Sequence, residues 1–111
     1  MEINFSLKKD TLTVGLSGEI DHHVCDEIRT DIDREFARCG AVSLNFDFSS
    51  VTFMDSSGIG MIMGRYKNIR FAGGTVLAVR VNERIRRILT LSGVYKYIDI
   101  YEELPKHSEV F

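Results

Sequence analysis

VSLNFDFSSVTFMDSSGIGMIMGRYKNI, residues 42–69, changes its hydrophobic period once, and that change decides the fold. Val42, Leu44, Phe46 and Phe48 alternate with Ser43, Asn45 and Asp47, the two-residue period of a strand with one buried face. A turn is expected around Ser49-Ser50, followed by the apolar pair Phe53-Met54. Beyond it Ile59, Ile62, Met63, Tyr66 and Ile69 recur at helical spacing up to Gly73-Gly74. Between the two periods lies Asp55-Ser56-Ser57-Gly58, a strand-to-helix turn with two hydroxyls at a helix start. Ser56 reads as the N-cap, its hydroxyl accepting from a backbone N–H of the first turn.

Working outward, Ile3, Phe5 and Leu7 alternate with polar neighbours, Lys9-Asp10 interrupts, and Leu12, Val14 and Leu16 resume the alternation, which predicts a hairpin. After Gly18, Val24, Ile28, Ile32 and Phe36 form a helical stripe, with Asp21 expected as its N-cap and Gly40 as its stop. Downstream, Thr75 to Val81 is a β-branched strand. A short helix begins at Asn82 or Glu83, turns Ile85, Ile88 and Leu89 inward and closes at Gly93; Tyr97 to Tyr101 is a last strand. The order β-β-α-β-α-β-α-β predicts an α/β fold with right-handed crossovers and a mixed sheet of four to five strands. Strands of a sheet covered on both faces read as continuous apolar runs, whereas four of these five alternate, so the helices are expected mainly on one face. Gly60 and Gly64 are read as close packing of the second long helix on the sheet.

The 111 residues fit one domain, 1–111, with a polar tail from about 104 marked by Pro105. Sixteen acids against fourteen bases leave a net charge of −2, which argues against nucleic-acid or membrane partners. The charges are segregated: residues 19–35 hold seven acids and two bases, and residues 65–87 hold seven bases and one acid. No segment approaches the ~20 apolar residues of a membrane span and the N-terminus lacks a signal-peptide pattern, so the expected location is the cytoplasm. Cys25 and Cys39, at opposite ends of one expected helix, stand roughly 21 Å apart at 1.5 Å per residue, too far for a disulfide.

Chemistry points to the same turn. A hydroxyl at a helix N-terminus is a well-placed phosphoacceptor, because the unpaired N–H groups and the dipole there hold negative charge without unfolding the domain. A serine hydrolase is not indicated, since no glycine stands two residues before either serine as G-x-S-x-G requires. Asp21, His22, His23 and Cys25 lack the spacing of a helical metal site, no phosphate-binding loop is present, and no cofactor is expected. Arg84 to Ile88 reads as a solvated basic face.

Leu16-Ser17-Gly18-Glu19-Ile20-Asp21-His22-His23, Phe53 to Gly60, Gly64-Arg65-Tyr66-Lys67 and Leu91-Ser92-Gly93-Val94 together resemble the bacterial anti-sigma factor antagonists of the STAS domain type, and within them the sporulation branch. The resemblance runs from the first strand to about Tyr101. It implies partner switching: the unphosphorylated antagonist binds an anti-sigma factor that is also a serine kinase, which frees a sigma factor for transcription. The kinase then phosphorylates the first serine of the D-S-S-G turn, here Ser56, and a serine phosphatase restores it. The implied partner-binding residues are Asp21, Met54, Asp55, Ser57, Gly58 and Ile59, on a non-enzymatic protein that is a monomer or weak dimer. Many relatives carry a further helix after the last strand, where this chain has Pro105 in a polar tail. The alternatives are an antagonist in a general-stress or other sigma pathway and, in a different class, a nucleotide-binding protein.

Overall fold

Alternating apolar residues build a sheet, and the helical stripes cover it. The computed structural model describes residues 2–103, so the tail expected from about 104 lies outside the described residues. β1 (Glu2–Lys8) and β2 (Thr11–Ile20) pair antiparallel around the two-residue turn Lys9-Asp10, where Lys9 takes a φ of 57°. Then follow α1 (Cys25–Cys39), β3 (Ser43–Met54), α2 (Ser56–Phe71), β4 (Val76–Val79), α3 (Glu83–Ser92), one 3-10 turn (Val94–Lys96) and β5 (Asp99–Ile100). The sheet order is β1-β2-β3-β4-β5, with β2 to β5 parallel. Each parallel strand is added on the same side of the last, so right-handed crossovers bring all three helices to one face.

Register explains the core. Leu12, Leu44 and Val76 stand side by side across three strands, Val14, Phe46 and Ala78 form the next row, and all six are buried. Phe46 and Phe48 stack with ring centroids 5.8 Å apart. Ile28 and Ile32 of α1, Met61, Ile62 and Ile69 of α2, and Ile85 and Leu89 of α3 close over these rows. Burying each such side chain stabilises the domain by about 1.5–3 kcal/mol. The other face carries the intervening residues, with Ser6, Thr13, Asn45 and Leu77 in one row.

Four expectations need correction. No turn breaks the chain at Ser49-Ser50: β3 runs unbroken to Met54 and absorbs its extra residues as irregularities opposite Gly15–Ser17 and Gly18–Glu19, which leave the strand paired while re-aiming its end. Asp21 is not the N-cap of α1. Val24 holds that position without a side-chain bond, while Asp21 shapes the preceding turn, its carbonyl accepting from Val24 N and Cys25 N. The last strand shrinks to Asp99–Ile100, because Gly93 reverses the chain and the N–H groups of Tyr97 and Ile98 both bond Val94 O rather than a strand. Gly60 and Gly64 do not sit against the sheet, since a Cβ at either would meet nothing within 4 Å.

Asn82 caps α3, accepting from Ile85 N at 2.9 Å, and its amide donates to Val51 O at 3.0 Å. Arg84 Nη1 donates to Thr52 O at 3.2 Å. The end of β3 is thus held by α3 on one side and by β2 on the other, and this is where the turn of interest emerges.

Candidate functional site

Met54 ends β3, and Asp55 takes extended backbone angles before α2 begins. Asp55, not Ser56, is the N-cap: its Oδ1 accepts from Ser57 N at 2.9 Å and from Gly58 N at 3.4 Å. The cap needs a residue that is still extended, and Ser56 is already helical. Oδ2 of Asp55 accepts from His22 N at 3.2 Å and lies 3.9 Å from His22 Nδ1, while Asp55 N donates to Ile20 O at 3.1 Å. One carboxylate therefore starts α2 and ties to it the loop that links β2 to α1.

This arrangement frees Ser56. It is the first helical residue, it is exposed, and among the described residues its hydroxyl makes no hydrogen bond. Ser57 is half-buried and lines a hollow of about 260 Å³ between α1 and α2, with His22, Arg29, Gly60 and Arg65 among its walls. Asp21 is half-buried near the same strand ends, its Oδ1 accepting from His23 N at 3.0 Å. Glu19 pairs in register with Phe53, and both are exposed.

The partner-binding set divides. Asp21, Asp55, Ser57 and Ile59 keep partial exposure around Ser56. Met54 is 2% exposed and belongs to the core, so its side chain is closed to a partner. Gly58 is also buried, and its reason is packing: a Cβ there would overlap Met54 Cγ and stand 2.8 Å from Met54 Sδ and 3.2 Å from Ile20 Cγ2. Two residues escape the sequence reading. Phe53 is 43% exposed at the strand end, and its signal is an aromatic adjacent to Met54, which cannot share its face of the strand. His22 stands beside the cap through its backbone N–H, a role no side-chain pattern announces.

Electrostatics mark the same corner. Burial, reinforced by Asp55, Asp21 and Asp26, raises the Cys25 thiol above its ordinary value of 9.0. The folded chain therefore keeps a proton that the unfolded chain releases, so this contribution to stability is full below about pH 9 and is lost as pH rises through the folded value. The urea midpoint is expected to fall between pH 8 and pH 10, Cys25→Ala should flatten that fall, and an equal fall in both proteins would remove the assignment. Farther along the helices, Arg65 is 8% exposed, with Nε 3.0 Å from Asp33 Oδ1 in the ion pair that joins α1 to α2. Burial lowers its pKa from the ordinary guanidinium value, Asp33 opposes that shift and Arg29 adds to it.

Comparison with known proteins places this geometry among relatives. The family profile described as "STAS domain" matches residues 2–107. The chain is 37% identical to an anti-sigma F factor antagonist of Paenibacillus polymyxa, over 92% of this chain and 87% of that protein. It is 30% identical to an anti-sigma-B factor antagonist of Bacillus subtilis (strain 168), over 90% and 92%. Among solved structures, the anti-sigma factor antagonist SpoIIAA in its unphosphorylated form superposes with a TM-score of 0.79 at 22% identity, covering 98% of this chain and 93% of that one. Its phosphorylated form superposes with a TM-score of 0.71, also at 22% identity, covering 98% and 96%.

Proposed function

The chain belongs to the STAS domain family, and from that premise we propose that it is an anti-sigma factor antagonist switched by phosphorylation of Ser56. Unphosphorylated, it binds an anti-sigma factor that doubles as a serine kinase and so releases a sigma factor; phosphorylated, it lets go until a serine phosphatase restores it. The observation that carries the reading is the Asp55 cap, which satisfies the helix start and leaves the Ser56 hydroxyl exposed and unbonded. Support also comes from relatives named as antagonists of anti-sigma F and anti-sigma-B factors. The protein acts by binding, and Asp21, Asp55, Ser57 and Ile59 surround the acceptor on the docking surface. The sporulation pathway is the first reading, from the relative at 37% identity, and a general-stress pathway is the second, from the relative at 30%.

The test mixes the protein with its anti-sigma factor kinase and ATP and follows intact mass and complex formation. One phosphate is expected on the wild type and on Ser57→Ala, and none on Ser56→Ala, which should stay bound. Modification that survives in Ser56→Ala and vanishes in Ser57→Ala would move the site. Phe53 supplies an exposed apolar side chain beside the same surface, and covering such a side chain in a complex contributes up to about 1.5–3 kcal/mol. Phe53→Ala is expected to weaken the complex about tenfold, ~1.4 kcal/mol, with little change in melting temperature. Unchanged affinity by calorimetry would remove Phe53 from the interface.

A further inference from the structure

A second hollow, of about 350 Å³, lies between the C-terminal halves of α1 and α2, at the end of those helices away from Ser56. Its walls are Ile32, Phe36, Ala41, Val42, Ile69 and Ala72, with Asp33, Arg65 and Asn68 as its polar groups. Volume and lining fit a small-molecule site, which combines an apolar enclosure with a few convergent polar groups.

The distinguishing feature is Arg65. Its side chain is 9% exposed, and among the described residues its one hydrogen bond is a long one, from Nη1 to Met61 O of its own helix at 3.4 Å. Asp33 Oδ1 is 3.0 Å from Nε, but Nε has no hydrogen-bond partner, so the contact lies off the N–H axis. A buried guanidinium N–H left without an acceptor is costly to maintain. Asp33, by contrast, keeps 47% of its side chain exposed and is free to yield its place. A carboxylate matches the guanidinium fork, with two parallel N–H···O bonds where the geometry allows. A dianionic phosphate suits the site less, because Arg65 is the one cation in the wall and the remaining surface is largely apolar.

We propose that this hollow binds a small carboxylate with an apolar body, its head paired with Arg65 in place of Asp33 and its body against Phe36, Val42 and Ile69. Arg65 also forms part of the wall of the Ser57 hollow, but it is the one residue the two hollows share, and the proposal does not depend on the switching function proposed above.

The test is a titration of the full chain, followed by amide and arginine Nε–H resonances, with octanoate as the probe and 1-octanol as the uncharged control. Octanoate is expected to give saturable shifts at Ile32, Phe36, Val42, Ile69 and the Arg65 Nε–H, at least tenfold tighter than 1-octanol. Arg65→Leu should abolish that preference. Asp33→Asn, a near-isosteric change at a half-exposed position whose folding the amide spectrum reports directly, should tighten octanoate severalfold by removing its competitor, a gain that a purely structural Arg65 would not produce. Ala72→Phe, from an exposed rim position, should block both probes. The proposal is overturned by absence of saturable shifts at millimolar octanoate, by equal affinity for the two probes, or by an Asp33→Asn protein that binds no tighter than wild type.

Discussion

Ser56→Asp is expected to weaken binding to the anti-sigma factor by 10²- to 10³-fold while leaving the domain folded. The two effects separate because the same charge has opposite consequences in the two settings. In the free protein, a carboxylate in the first turn of α2 faces the positive end of the helix, which favours it by about 0.3–1 kcal/mol. Repulsion from Asp55 and Asp21 at this corner offsets part of that gain. In the complex, the added charge must be desolvated beside those carboxylates, and an uncompensated charge in an interface costs several kcal/mol. A loss of 10²- to 10³-fold needs only about 3–4 kcal/mol, so no rearrangement of the fold is required. Calorimetric binding and thermal melting of Ser56→Asp, Ser56→Ala and wild type would check this. A large drop in the melting temperature of Ser56→Asp, or undiminished affinity, would sink the charge argument.

Gly58→Ala should be the most damaging single-methyl change near the site. Ala is the better helix former, by up to ~1 kcal/mol in a helix interior, and propensity alone therefore predicts a gain. Packing reverses the sign. The new Cβ would overlap Met54 Cγ and press on Ile20, and Met54 is 2% exposed with Ile20 fully buried, so neither side chain moves without disturbing the core. Overpacking of this kind costs roughly 1–3 kcal/mol, and strain released by lifting the start of α2 would stretch the Asp55 bonds to Ser57 N and Gly58 N. The expected result is a lower urea midpoint together with weaker partner binding. Gly60→Ala and Gly64→Ala supply the contrast, because a Cβ at either position meets nothing within 4 Å. Both should stabilise by some tenths of a kcal/mol. If Gly58→Ala is as stable as they are, the close approach of α2 to the strand ends does not constrain the site.

The period change across residues 42–69 was enough to establish strand, turn and helix, and the alternation of Leu12-Val14-Leu16 and Leu44-Phe46-Phe48 already implied a sheet covered on one face. These features are legible because burial of one face imposes a repeat that local sequence must carry. The D-S-S-G turn and its neighbours likewise pointed to Ser56 without coordinates. Tertiary structure decided the rest. That Asp55 holds the cap, and also reaches His22 N across 33 residues of sequence, depends on β2 and β3 ending side by side. That Met54 is core and Phe53 surface depends on the irregular pairing of β3, which shifts which residues face inward. That Arg65, an ordinary member of a basic stretch by composition, is buried between two helices with its Nε lacking a hydrogen-bond partner depends on the packing of α1 against α2. Periodicity records which face of an element is buried; contacts between residues distant in sequence leave no period, so only the assembled fold reveals them.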